Sequence, residues 1–81
     1  MYEVYAIASL SRNYIYVGIT DNLGRRFEEH NAGHNKTTKP YLPFQLLYRE
    51  SCLDRPTARI REKYWKSGTG KEQLKMIRDT F

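Results

Sequence analysis

A chain of 81 residues with 40% apolar content has material for one domain around one modest core, no room for a second ligand-binding domain, and too much apolar character for a disordered tail. Fourteen lysines and arginines against nine acids leave a net charge of +5, which favours a polyanionic partner such as nucleic acid, although plain solubility accounts for a charge of this size too. A lone cysteine, Cys52, excludes an internal disulfide framework and a multi-cysteine zinc site.

Tyr2 to Ala8 and Tyr14 to Ile19 are rich in aromatic and aliphatic side chains, and Ser9-Leu10-Ser11-Arg12-Asn13 separates them, which predicts a β-hairpin. The first stretch carries Glu3 and no basic leader, and no run approaches the length of a membrane span. The expectation is a soluble, cytoplasmic protein with no membrane contact. Side chains alternate faces along a strand, so Tyr5 shares a face with Glu3 and Ile7, and Tyr16 with Tyr14 and Gly18. A loop of Ser9 to Arg12 would pair Ala8 with Asn13 and set Tyr5 directly opposite Tyr16; a one-residue change in loop length would separate the two rings.

From Asp21 the pattern turns helical. Asp21 or Asn22 caps, Leu23, Phe27 and Asn31 follow one stripe, and Gly33 stops a helix read from Asn22 to Ala32. His34 to Pro43 is a polar loop, and Phe44 to Glu50 a third strand. Asp54 caps a second helix from Arg55 to Ser67, with Pro56 tolerated in its first turn. Gly68-Thr69-Gly70 is expected to break it before a third, short helix from Lys71 to Thr80. The fold class is therefore α+β, a small antiparallel three-stranded sheet flanked by helices in the order β-β-α-β-α-α, with residues 1–81 a single domain. Cys52 falls at a strand-to-helix junction as a small packing residue.

Chemistry-bearing residues are few. Arg26 and His30 lie four apart on one helical face, where a guanidinium fork suits a phosphate oxygen and an imidazole can relay a proton; alone, the pair also reads as a solvated face. Glu62 lies beside Ala58 and Trp65 at the edge of the second helix's apolar arc, either reaching into a cleft or bridging to Arg59 or Lys66. Arg61 falls inside that arc, and nothing in the sequence explains it. Tyr2, Tyr14, Tyr41, Tyr48 and Tyr64 read as β-formers with an amphipathic edge.

Taken in order, Val4-Tyr5-Ala6, Tyr16-Val17-Gly18, Asn22-Leu23-x-x-Arg26-x-x-x-His30 and Glu62 in a basic helix resemble the GIY-YIG nuclease pattern. The nearest resemblance is to its short, stand-alone branch, related to the amino-terminal nuclease domain of the bacterial excision-repair protein. Lys36-Thr37-Thr38-Lys39 ahead of Pro43, and Glu62-Lys63-Tyr64-Trp65-Lys66, resemble that branch as well, so the likeness covers nearly the whole chain. Two departures stand out: only the tyrosine of the first triplet is kept, and no asparagine follows Glu62.

The resemblance implies a metal-dependent DNA endonuclease, structure-selective or weakly selective, with a place in DNA repair or recombination. It implies Glu62 as the protein ligand of Mg²⁺ or Mn²⁺, Arg26 on a phosphate oxygen, Tyr5 as general base, Tyr16 positioning the attacking water or sharing its proton, and His30 assisting that network. Lys36, Thr38 and Lys39 are candidates for holding the DNA backbone. Either structure-selective or weakly selective nicking stands alone, or a protein partner supplies target choice. The alternatives are a catalytically weak DNA-binding module with the same fold, and a small protein-interaction domain using its tyrosines as a contact surface.

Overall fold

The computed structural model describes residues 1–80. Strands β1 (Tyr2–Ser9) and β2 (Ile15–Thr20) form the hairpin, followed by α1 (Leu23–Asn31), a 3₁₀ turn at Lys39–Tyr41, β3 (Phe44–Cys52), α2 (Arg55–Lys66) and α3 (Gly68–Asp79). The three strands are antiparallel in the order β2-β1-β3, so the expected class and element order hold.

β1 is central and buried from Val4 onward, which explains why its sequence is nearly continuously apolar rather than alternating. Val4, Ala6 and Ala8 face a layer built with Ile15 and Val17 of β2, Ala58 and Trp65 of α2 and Leu74 of α3. Tyr5 and Ile7 face the other way, toward Leu23 of α1 and Phe44, with Tyr14, Tyr16, Phe27 and Tyr41 at the margin. Helices α2 and α3 thus cover one face of the sheet, and α1 with the following connection covers the other.

Three local features set this arrangement. Asn22 caps α1, its Oδ1 accepting from the Arg25 N–H at 3.1 Å, and Asp54 caps α2 by accepting from the Thr57 N–H at 2.9 Å. A bulge falls in β3, where Ala6 pairs with Tyr48 but Ile7 with Leu46, so that Leu47 and Tyr48 both turn toward the α2–α3 layer. At the end of α1, Asn31 Oδ1 accepts from the Phe44 N–H at 2.6 Å and its Nδ2 donates to the Phe44 carbonyl at 3.4 Å, latching helix to sheet.

The expected break at Gly68–Gly70 is corrected. Ser67 ends α2 and at once caps α3, its Oγ accepting from the Gly70 N–H at 3.3 Å, so the glycines form the first turn of α3 instead of a loop. Gly70 is needed there because a Cβ would come within 2.6 Å of Trp65 Cα, where the two helices meet backbone to backbone.

Arg61 also acquires a reason. The Glu50 carboxylate on β3 accepts from Arg61 Nε (2.9 Å) and Nη2 (3.2 Å), from Trp65 Nε1 (2.7 Å) and from the Tyr48 hydroxyl (3.2 Å). The guanidinium lies over the rings of Tyr64 and Trp65, 5.1 and 5.7 Å from their centroids. Burial alone would raise the Glu50 carboxyl, but the hydrogen bonds from Arg61 and Trp65 outweigh it and hold the group below its usual range. Cys52 is a buried free thiol at the end of β3, as expected of a packing residue. Among the described residues no helix is long and apolar enough to cross a membrane.

Candidate active site

The hairpin brings its two tyrosines together by a different register from the one expected. Ala8 pairs with Ile15 and Ile7 with Tyr16, so the residue opposite Tyr5 is Gly18. The loop is longer than supposed, closed by the Ser9 N–H donating to the Tyr14 carbonyl at 2.9 Å. The resulting shift of two residues keeps every side chain on its face and places Tyr16 diagonally from Tyr5, with ring centroids 6.3 Å apart. Gly18 leaves room for the Tyr5 ring to lie across β2. A Cβ there would stand 2.8 Å from Tyr5 Oη and 3.0 Å from Tyr16 Cε2.

His30, in the last turn of α1, reaches the same spot from above the sheet. Its Nε2 is 2.9 Å from Tyr5 Oη, and its Nδ1 is 2.9 Å from Thr38 Oγ1. Tyr5, His30 and Thr38 are all essentially inaccessible, at 1%, 0% and 0% exposure. Tyr16 and Phe44 wall the imidazole, with ring centroids at 5.0 and 6.1 Å. Thr38 is aimed inward by a tight turn in which Asn35 Oδ1 accepts from the N–H groups of Thr37 (2.9 Å) and Thr38 (3.3 Å). That turn is anchored in part by Tyr41, which stacks on Tyr14 with centroids 3.9 Å apart.

These surroundings act strongly on the titrating groups. Burial, and then the neighbouring Tyr16 hydroxyl, push the Tyr5 phenol up to about 12; Arg26 pulls against this, and the negative charge of Glu62 adds to it. Burial, and then Arg26, bring His30 down to about 4, with Glu29 opposing. At neutral pH the imidazole is therefore uncharged, with one ring nitrogen donating and the other accepting. Arg26, one turn before His30, pairs through Nη1 with Glu29 Oε1 at 3.1 Å.

Glu62 lies mid-way along α2 with its side chain only 12% exposed, pairing with Lys66 Nζ at 3.2 Å and Arg59 Nη1 at 3.7 Å. Both ion pairs named from the sequence are present, yet the carboxylate is mostly shielded and its charge reaches the Tyr5 hydroxyl. Lys36 and Lys39 are exposed. Thr38 is not available to DNA: it has no accessible surface and its hydroxyl is engaged by His30, which corrects the expectation that it helps hold the backbone.

Residues 1–75 match the family model described as the GIY-YIG catalytic domain. The chain belongs to the GIY-YIG family. It is 35% identical over 74 residues to a UPF0213 protein of Staphylococcus haemolyticus, a match covering 90% of each chain. It is 33% identical over 79 residues to one of Haloquadratum walsbyi, covering 96% of this chain and 89% of the relative. A 44% identical match to a UPF0213 protein of Desulfotalea psychrophila spans 50 residues, 59% of this chain and 46% of that relative. No solved structure matches the chain. GIY-YIG membership carries nuclease character and divalent-ion use in general terms; the relatives' shared name states no activity.

Among the described residues no three His, Cys, Asp or Glu side chains converge on one point. The shielded carboxylate of Glu62, paired with Lys66 and Arg59, is a hard oxygen donor of the kind a divalent ion takes when it keeps most of its waters and needs few protein ligands.

Sequence reasoning passed over a cleft of about 340 Å³ beside Arg26, bordered by Tyr2, Arg25, Glu29 and Arg55. The Arg55 guanidinium lies over the Tyr2 ring, 5.7 Å from its centroid. A signal for it was present. Neither α1 nor α2 has an acid in its first turn, where the helix dipole favours one, and both place arginine there.

Proposed function

We propose that the chain is a metal-dependent DNA endonuclease that hydrolyses a phosphodiester with little sequence selectivity. The observation that carries this reading is the buried Tyr5–His30 hydrogen bond beside Arg26 and within the field of Glu62. Glu62 would hold the divalent ion, Mg²⁺ or Mn²⁺, which when bound neutralises charge on the phosphate and the leaving oxygen.

A phenol at about 12 is ionised in roughly one molecule in 10⁵ at pH 7, so Tyr5 does not serve as a standing phenolate. It works instead as a relay. As Tyr5 Oη takes a proton from the attacking water, it passes its own to the lone pair of His30 Nε2. Burial and Arg26 hold that imidazole at about 4, and it becomes a competent acceptor once the negative charge of bound phosphate offsets Arg26. The hydroxide forms the new bond to phosphorus, and the leaving oxygen departs with its bonding electrons. Arg26 holds a non-bridging oxygen and offsets the growing charge, exchanging its Glu29 partner for phosphate. Tyr16, diagonal to Tyr5, orients the water.

The cleft of Arg25, Arg26 and Arg55, together with exposed Lys36 and Lys39, would carry the DNA backbone on either side of this point. Contacts of this kind position a duplex without reading bases, which fits structure-selective nicking in repair or recombination, with a protein partner supplying target choice. The second reading, a catalytically weak DNA-binding module, is favoured by the high Tyr5 value and by the lack of an asparagine after Glu62.

The deciding experiment is nicking of supercoiled plasmid and of branched DNA with Mg²⁺ or Mn²⁺, against EDTA and Glu62→Ala. Metal-dependent nicking lost in the variant supports the nuclease. DNA binding without nicking supports the second reading, and nicking that survives in Glu62→Ala removes Glu62 as the metal ligand.

A further inference from the structure

The segment His34-Asn35-Lys36-Thr37-Thr38-Lys39 is polar and basic, the composition of a solvated loop. One member nevertheless has no accessible surface: Thr38, whose hydroxyl sits against His30 Nδ1. A loop does not bury a polar side chain without a partner, so the question is which way the hydrogen bond runs.

A neutral imidazole has one N–H and one lone pair. If Nδ1 is bare, Thr38 donates to it, Nε2 carries the hydrogen, and Nε2–H points at Tyr5 Oη; His30 then has nothing with which to receive a proton from Tyr5. If Nδ1 carries the hydrogen, Thr38 accepts it and Nε2 offers its lone pair to the phenol. Thr38 has somewhere else to send its own proton. The Asn35 carbonyl, 3.5 Å from Oγ1, can only accept. That leaves the Thr38 oxygen free to accept from His30. The titratable and charged groups facing the imidazole are Tyr5, Tyr16, Arg26 and Glu29, and the Phe44 ring closes another side; none offers Nδ1 a second partner.

We propose that Thr38 is a positioning residue that accepts a hydrogen bond from His30 Nδ1–H, fixes that tautomer, and so keeps His30 Nε2 open to the Tyr5 proton. Its catalytic consequence rests on the nuclease reading, while the tautomer itself is independent of it. The loop that resembles a DNA clamp in sequence acts through its one buried hydroxyl on the imidazole.

The test is ¹⁵N NMR of the imidazole in the full chain at neutral pH, with His34→Gln removing the only other histidine signal. His30 should show a protonated Nδ1 and a bare Nε2. In Thr38→Val, close in shape but without the hydroxyl, the proton should move to Nε2, and kcat for nicking should fall roughly 10- to 100-fold with KM for DNA unchanged. Thr38→Ser should restore both. A wild-type imidazole protonated at Nε2 overturns the proposal, as does Thr38→Val with wild-type kcat. If Thr38→Val does not fold, the wild-type and Thr38→Ser spectra still decide. If the wild type nicks no DNA, the nuclease reading fails while the tautomer assignment is judged on the spectra alone.

Discussion

Gly18 stands directly opposite Tyr5 in the β1–β2 ladder, and the Tyr5 phenol occupies the space a side chain at Gly18 would take. The glycine is thus part of how the hydroxyl reaches His30. Gly18→Ala should push the ring aside, because the added carbon would meet Tyr5 Oη at 2.8 Å. The expected cost is about 1–3 kcal/mol of stability from overpacking, with nicking by the folded protein reduced at least tenfold. Urea denaturation beside a plasmid nicking assay checks both; an alanine variant with full activity would show that the ring position is not critical.

Glu29 holds Arg26 at 3.1 Å and approaches Arg25 at 3.8 Å, the place a phosphate would take. Glu29→Gln should therefore tighten DNA binding several-fold at moderate salt. Arg55→Ala should weaken it and lower the slope of log affinity against log salt by about one. Fluorescence anisotropy over a salt series measures both, and equal slopes for Arg55→Ala and wild type would take Arg55 out of the interface.

His30 predicts how stability responds to acid. Its value falls from 6.5 in the unfolded chain to about 4 in the native protein, so the unfolded state binds more protons between those limits. The contribution is fully present above pH 6.5 and is lost as pH falls toward 4, in total on the order of 3 kcal/mol. Denaturation of wild type and His30→Gln at pH 7.5 and pH 5 should show the steeper loss in wild type. Parallel losses would mean that carboxylates alone govern the acid limb.

Glu50 offers a contrast remote from the reaction chemistry. Truncating it to alanine leaves Trp65 Nε1 and the Arg61 guanidinium without their acceptor, which should cost about 2–3 kcal/mol. Nicking per folded molecule should hold. A melt and an activity normalised to folded fraction separate the two effects.

The element order could be read from the chain because its punctuation is local. Asn22 and Asp54 cap their helices, and strand alternation assigns Tyr5 and Tyr16 to one face. The hairpin register could not be read, since Ser9 to Asn13 contains no turn signature that fixes loop length; the error of two residues preserved the face and misplaced the partner. Gly68-Thr69-Gly70 reads as a breaker only while Ser67 goes unnoticed as a cap. Tyr5, Arg26 and His30 do converge, but Thr38 and Arg61 depend on partners distant in sequence. No local pattern reveals that a loop threonine is buried under an imidazole, or that an arginine in an apolar arc faces a carboxylate on β3.

The Asn31 amide makes two hydrogen bonds to Phe44, taking its N–H and its carbonyl together. β3 lies at the rim of the sheet, where such groups ordinarily turn to water. A side-chain amide has the same donor and acceptor as a peptide group, so Asn31 stands in for a fourth strand one residue long. His30 is its immediate neighbour. The imidazole is consequently moored to the sheet that carries Tyr5, and the same two hydrogen bonds oppose fraying at the end of α1.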